Sequence, residues 1–171
     1  MIQANETHRP SRRSPTAEEL RTWRTFIETA DELRSVMAAR LQRESGLSSG
    51  DYAVLLALSE ADDRRMRSSE LAAHIGWERS RLSHHLGRME RRELIRREEC
   101  ATDSRGAEIA ITTAGTDAFR DASAPHLHAI RELFIDALTP AQLTAAQDIA
   151  EALHTHLAAT SGHERTVGRS A

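Results

Sequence analysis

The 171 residues carry 23 basic and 26 acidic side chains for a formal charge of −3, with nine histidines, four prolines, one cysteine and few aromatics, a size and composition that suit one mostly helical domain with extensions. No apolar run reaches the ~20 residues of a membrane span, and the single cysteine, Cys100, excludes an internal disulfide framework and a cysteine-rich zinc site. The N-terminus has no apolar signal core, which predicts a cytoplasmic protein.

Residues 1–15 are polar, hold Arg9, Arg12 and Arg13, and are expected as a disordered arm. Thr16-x-x-Glu19 is a capping box that opens a long helix. Its apolar stripe runs Leu20, Trp23, Ile27, Ala30, Met37 and Leu41 at helical spacing, and Gly46 ends it. Ser48 caps a second helix carrying Tyr52, Leu55, Leu56 and Leu58, which ends near Asp62 and Asp63. From Ser68 a short helix turns Leu71, Ala72 and Ile75 inward. Gly76 supplies a tight turn, and a further helix spans residues 78–92. Residues 94–99 and 107–112 read as short β segments, with Ile109 and Ile111 on one face of the second. Between them, residues 100–106 are polar and turn-rich. A helix resumes near Thr113 with Phe119, Leu127, Ile130, Leu133, Phe134 and Leu138, and Pro125 inside it predicts a kink or break. Thr139-Pro140-Ala141-Gln142 is a strong helix start, followed by Leu143, Ala146, Ile149, Ala150, Leu153 and Leu157. Residues 161–171 are expected as a flexible tail.

Charge is not spread evenly. Residues 64–105 hold 11 arginines against 7 acids, a net of +4, which leaves −7 for the rest of the chain. A basic middle between acidic flanks is the footprint of a local nucleic-acid surface. Every basic side chain is arginine, which genomic codon bias explains most simply, although arginine is also the better bidentate partner for guanine edges and phosphates. In the helix over 78–92, placing Leu82, Leu86 and Met89 inward sets Ser80, His84, Gly87, Arg88 and Arg91 on the opposite face, with Arg81 and Ser83 on the flanks. A recognition helix needs this division, one face on the domain and one in the major groove, although an ordinary amphipathic surface helix shares it. A ribbon directly after it, with Asp103 and Arg105 at its tip, has a use as a wing. Arg105 can enter a narrow minor groove, and Asp103 can orient an arginine. A surface hairpin with a weak ion pair is the plainer alternative.

The segment LAAHIGWERSRLSHHLGRMERRELIRR, followed by DSRGAEIAITTAG, resembles the MarR family of bacterial regulators. The resemblance implies a mainly α fold with a small β wing: a winged helix-turn-helix at 48–112, an N-terminal dimerisation helix at 16–47 and C-terminal dimerisation helices at 113–160. It implies a homodimer on double-stranded DNA at a pseudo-palindromic operator, acting as a ligand-responsive repressor. Matched position by position, it puts Arg79, Ser80, Arg81, Ser83, His84 and Arg88 on the DNA side, and Asp103 and Arg105 in the wing. The wide apolar stripes of the flanking helices point to a dimer independently, with a monomeric bundle as the competing arrangement. Three departures stand out. His84-His85 replaces the more usual arginine or apolar pair, which leaves the base preference open. Glu78 occupies the place of the family's Ser or Thr cap, where it is expected to orient Arg81 or a neighbouring arginine. Gly87 weakens the helix by ~1 kcal/mol relative to alanine.

No cofactor and no metal are expected. His126 with His128, and His154 with His156, stand two apart on helices and do not converge. Cys100, beside Glu98 and Glu99, offers a redox alternative, opposed by carboxylates that disfavour its thiolate. A small-molecule effector is the family default, with Trp23, Phe26, Tyr52 and Trp77 as candidate lining residues. The chain lacks a glycine-rich phosphate loop, a nucleophile elbow and a helical HExxH motif, so an enzyme is not expected. A winged helix serving only protein interaction is the remaining alternative.

Overall fold

The structure, a computed structural model, describes residues 14–99 and 107–167. The expected arm up to residue 13, residues 100–106 with Cys100, Asp103 and Arg105, and residues 168–171 lie outside the described residues. The chain divides into two units, residues 1–36 and 37–171.

The first unit holds the capping box and the start of α1 (Ala17–Ser45). Thr16 N donates to Glu19 Oε2 at 2.8 Å and Glu19 N donates to Thr16 Oγ1 at 3.2 Å, the reciprocal pair that the spacing predicts. Leu20, Trp23, Phe26 and Ile27 on this helix are all exposed.

The second unit begins with the end of α1, where Leu41 is buried and Gly46, at φ +69°, stops the helix. α2 (Ser49–Glu60) starts from a second capping box: Ser48 Oγ accepts from Asp51 N, and Asp51 Oδ2 accepts from Ser48 N at 2.9 Å. Its Val54, Leu55, Ala57 and Leu58 form the centre of the core. A 3₁₀ turn (Asp62–Arg64), with Asp63 and Arg64 at positive φ, leads into β1 (Arg65–Arg67). α3 (Ser68–His74) buries Leu71 and Ala72, and Gly76 at φ +67° makes the turn into α4 (Arg79–Arg91). β2 (Ile95–Glu99) and β3 (Ala107–Ile111) follow.

The sheet has three strands in the order β1-β3-β2, all antiparallel. The expected ribbon of two strands therefore gains β1, which pairs Met66 with Ile109 across the sheet. Three residues of which two are arginine give no β pattern; the strand exists because β3 offers a free edge. α5 (Thr113–Ile130) is capped by Thr112, whose Oγ1 accepts from Gly115 N at 2.9 Å. Gly115 is obligatory there, since a Cβ would stand 2.0 Å from the Leu94 carbonyl oxygen. No break occurs at Pro125: α5 runs through it, and the irregularity comes later, as a π turn (Arg131–Ile135) before α6 (Pro140–Val167). The start of α6 has the expected form, with Thr139 N donating to Gln142 Oε1 at 2.9 Å and Gln142 N to Thr139 Oγ1 at 3.3 Å.

Candidate nucleic-acid interface

The two sides of α4 differ as its periodicity predicts. Leu82, Leu86 and Met89 are completely enclosed in the core. Arg79, Ser80, Arg81, Ser83, His84 and Arg88 are all exposed, so these six share the solvent side of one helix. Asp103 and Arg105 fall outside the described residues.

Ion pairing separates the arginines of the basic segment into two groups. Arg65 on β1 lies 3.6 Å from Glu108 on the adjacent β3 and 2.9 Å from Glu98 on β2 beyond it. Arg96 also pairs with Glu98, Arg97 with Glu90, and Arg92 with Asp51. The Arg96 hydrogen bond, opposed by some burial and helped by the charges of Arg96 and Arg65, holds the Glu98 carboxyl below its ordinary range. Among the described residues, by contrast, Arg79, Arg81, Arg88 and Arg91 have no carboxylate partner. Four uncompensated guanidinium groups on one exposed helix make a strong anion-attracting surface.

Two of these four are held by aromatic rings. The Arg81 guanidinium lies over the Trp77 ring, 4.2 Å from its centroid. Arg88 Nη2 is 2.8 Å from His85 Nδ1. Glu78, expected to orient Arg81, neither pairs with it nor caps α4 through its side chain; Trp77 takes that part. Gly87 is open enough for a Cβ, which would meet only the tips of Arg91 and Arg97 at 3.9 and 4.0 Å. Beside this stripe, a cleft of about 540 Å³ is lined by Trp77, Arg81, His84 and Arg88 of α4 and the turn before it, and by Ser48 and Gly50 at the start of α2.

Sequence reasoning passed over Asp51 and Arg92, and noted His85 only as a departure from the family pattern. Asp51 is only 4% exposed. One of its oxygens accepts from Ser48 N and from Arg92 Nη1, the latter at 2.8 Å, and the other lies 3.0 Å from His85 Nε2. Burial alone pushes this carboxyl upward, but the contacts from His85, Ser48 and Arg92 outweigh it and hold the group well below its ordinary value. The Ser48-x-x-Asp51 spacing was a usable signal for the cap; the partners His85 and Arg92 were not legible, because they come from 34 and 41 residues away.

The four aromatic residues expected around an effector have separate settings. Tyr52 packs on Phe119 and His126, Trp77 on His85, and Trp23 and Phe26 are exposed in the first unit. Burial lowers the pKa of His126. No group of three or more histidine, cysteine or acidic side chains is placed to hold a metal among the described residues. No helix among them is long and apolar enough to cross a membrane.

A model of the MarR family matches residues 45–106, the span from the end of α1 through the helix-turn-helix and into the segment between β2 and β3. The crystal structure of AbsC, a MarR family transcriptional regulator from Streptomyces coelicolor, is 36% identical, with a TM-score of 0.80 over 86% of this chain and 99% of that one. The chain belongs to the MarR family of transcriptional regulators. A second MarR family regulator from Streptomyces coelicolor, crystallised in complex with DNA, is also 36% identical, with a TM-score of 0.80 over 85% of this chain and 92% of its own. The M. tuberculosis regulator MOSR, likewise in complex with DNA, is 28% identical, with a TM-score of 0.65 over 80% of this chain and 96% of its own. Comparison with curated proteins finds no match. Membership of the MarR family accounts for the winged helix and for the helices that flank it.

Proposed function

We propose that this MarR family regulator is a cytoplasmic homodimer that binds double-stranded DNA at a pseudo-palindromic operator and represses transcription until a small molecule releases it. The observation that carries the DNA reading is the solvent side of α4, where Arg79, Arg81, Arg88 and Arg91 stand without carboxylate partners among the described residues, opposite a fully buried apolar face. With α4 in the major groove, Ser80, Arg81, Ser83 and His84 reach base edges, while Arg79 and Arg88 serve backbone or base contacts. Arg105 is assigned to the minor groove and Asp103 to its orientation. The relatives that are solved in complex with DNA support the same mode. For the effector, the partly apolar cleft of about 320 Å³ beside Phe119, Ile111 and Arg120 offers a place of suitable size.

The test is operator binding. The parent protein is expected to shift its own upstream intergenic DNA in preference to random duplex at moderate salt. Charge reversal at both Arg81 and Arg88 is expected to reduce that binding by about 100-fold or more and to flatten its salt dependence by roughly one unit for each phosphate that is no longer neutralised. Absence of any site preference in the parent would leave a winged helix used for protein interaction.

A further inference from the structure

His85 breaks the pattern of α4. Its neighbours His84 and Arg88 are exposed, yet His85 is only 7% exposed and sits beneath them. A buried imidazole needs partners for both ring nitrogens. Arg88 Nη2 stands 2.8 Å from Nδ1. A guanidinium can only donate, so Nδ1 accepts and the neutral ring carries its proton on Nε2. Nε2 faces Asp51 Oδ1 at 3.0 Å, close but not aligned as a good hydrogen bond. The other Asp51 oxygen is fixed by Ser48 N and Arg92 Nη1, and Arg92 Nη2 donates to the Gly46 carbonyl at 2.9 Å.

A continuous line of polar contacts thus runs from the capped start of α2, through an enclosed imidazole, to a guanidinium on the exposed side of α4. Two features hold the ring in place. Trp77 meets it edge-on at 5.1 Å. Gly50 lets it come close: a Cβ there would stand 2.9 Å from His85 Cε1 and 2.7 Å from Trp77 Cη2. A free arginine side chain loses rotamer entropy on ordering, and a contact that orders it beforehand removes that cost from binding.

We propose that His85 is a positioning residue for DNA recognition: anchored by Asp51, it presets Arg88 for its contact with DNA. The assignment rests on the DNA-binding reading above. His85 itself reads no base.

Two substitutions separate the roles of the ring nitrogens. A glutamine amide reaches the Nε2 position and keeps the neighbour of Asp51, whereas an asparagine amide occupies the Nδ1 position and keeps an acceptor for Arg88. Operator affinity is measured by fluorescence anisotropy on the full chain for His85→Gln, His85→Asn, Arg88→Ala and the double variant His85→Gln/Arg88→Ala, with urea denaturation of each as the folding control. His85→Gln is expected to weaken binding about 5- to 10-fold. His85→Asn recovers most of that loss. Once Arg88 is alanine, His85→Gln adds less than about 2-fold, because the two act through one contact. Asp51→Asn, with and without Arg88→Ala, repeats the comparison should a His85 variant fail to fold. Equal losses in Gln and Asn variants, tighter binding in His85→Gln, or a loss undiminished in the Arg88→Ala background overturns the assignment while leaving DNA binding intact. A parent with no operator preference overturns the DNA reading, and this assignment with it.

Discussion

Asp51 joins three jobs in one carboxylate: it completes the cap of α2, receives Arg92 from the end of α4, and faces His85. A buried anion is costly unless several donors share it, and here they do, which is why its pKa falls despite burial. The sign of the pH dependence follows. A carboxyl whose folded pKa lies below its unfolded value of about 3.8 contributes stability that is full above that value and is lost as pH falls below it. Asp51→Asn keeps an oxygen for the cap but loses the charge facing Arg92, whose side chain is 45% exposed and can rehydrate. The expected cost is therefore about 2 kcal/mol at pH 7, less than for a fully enclosed pair. Urea titrations of parent and variant should give the same difference at pH 7 and about pH 5, and a shrinking one below about pH 4. A difference that does not change with pH would mean that the cost arises from packing and not from the charge.

At the scale of elements, α4 is held less firmly than its burial suggests. Its N-cap, Glu78, makes no side-chain cap bond. Gly87 sits in its interior, and beyond its C-cap Glu93 adopts φ +58°, where Leu94 N returns to the Met89 carbonyl at 3.1 Å. Glycine is the residue that takes this left-handed position without strain. Glu93→Gly and Gly87→Ala are each expected to stabilise the protein by up to ~1 kcal/mol, read as a rise of a few degrees in Tm. An unchanged or lower Tm for Gly87→Ala would show that the helix uses the missing side chain. Features written in nearby residues were legible in the sequence: both flanking capping boxes, the Gly46 and Gly76 turns, and the inner face of α4. β1 was not, because Arg65, Met66 and Arg67 become a strand only against β3. Nor were the partners of His85. At about 100° per residue the register of Leu82, Leu86 and Met89 turns His84 outward and His85 inward, but that Asp51 and Trp77 meet the ring there is set by the tertiary packing of α2 against α4. The helix through Pro125 is a similar case: α5 continues despite the local preference for a break, with His126 beside the proline packed on Tyr52 of α2.

At the scale of the whole molecule, the C-terminal helix, like the exposed apolar residues of α1, is left unexplained by a single copy. Ile149, Leu153 and Leu157 recur every four residues along α6 and are exposed, Leu153 by 47% and Leu157 by 62%. An apolar stripe of that length facing water is unfavourable for an isolated chain and marks an association surface. A second copy of the chain is the occupant proposed here, with its own reading head placed one DNA turn, ~10 bp, from the first. Light scattering should then give twice the 19.0 kDa chain mass. Placing glutamate at both Leu153 and Leu157 is expected to return the single-chain mass without unfolding the core, since neither residue belongs to it. The same double variant should bind a full operator at least ~100-fold more weakly while its weak affinity for an isolated half-site stays unchanged, because the substitutions uncouple two heads and leave each head intact. Should the variant remain dimeric, or lose half-site binding as well, α6 would not be the surface that joins the two copies.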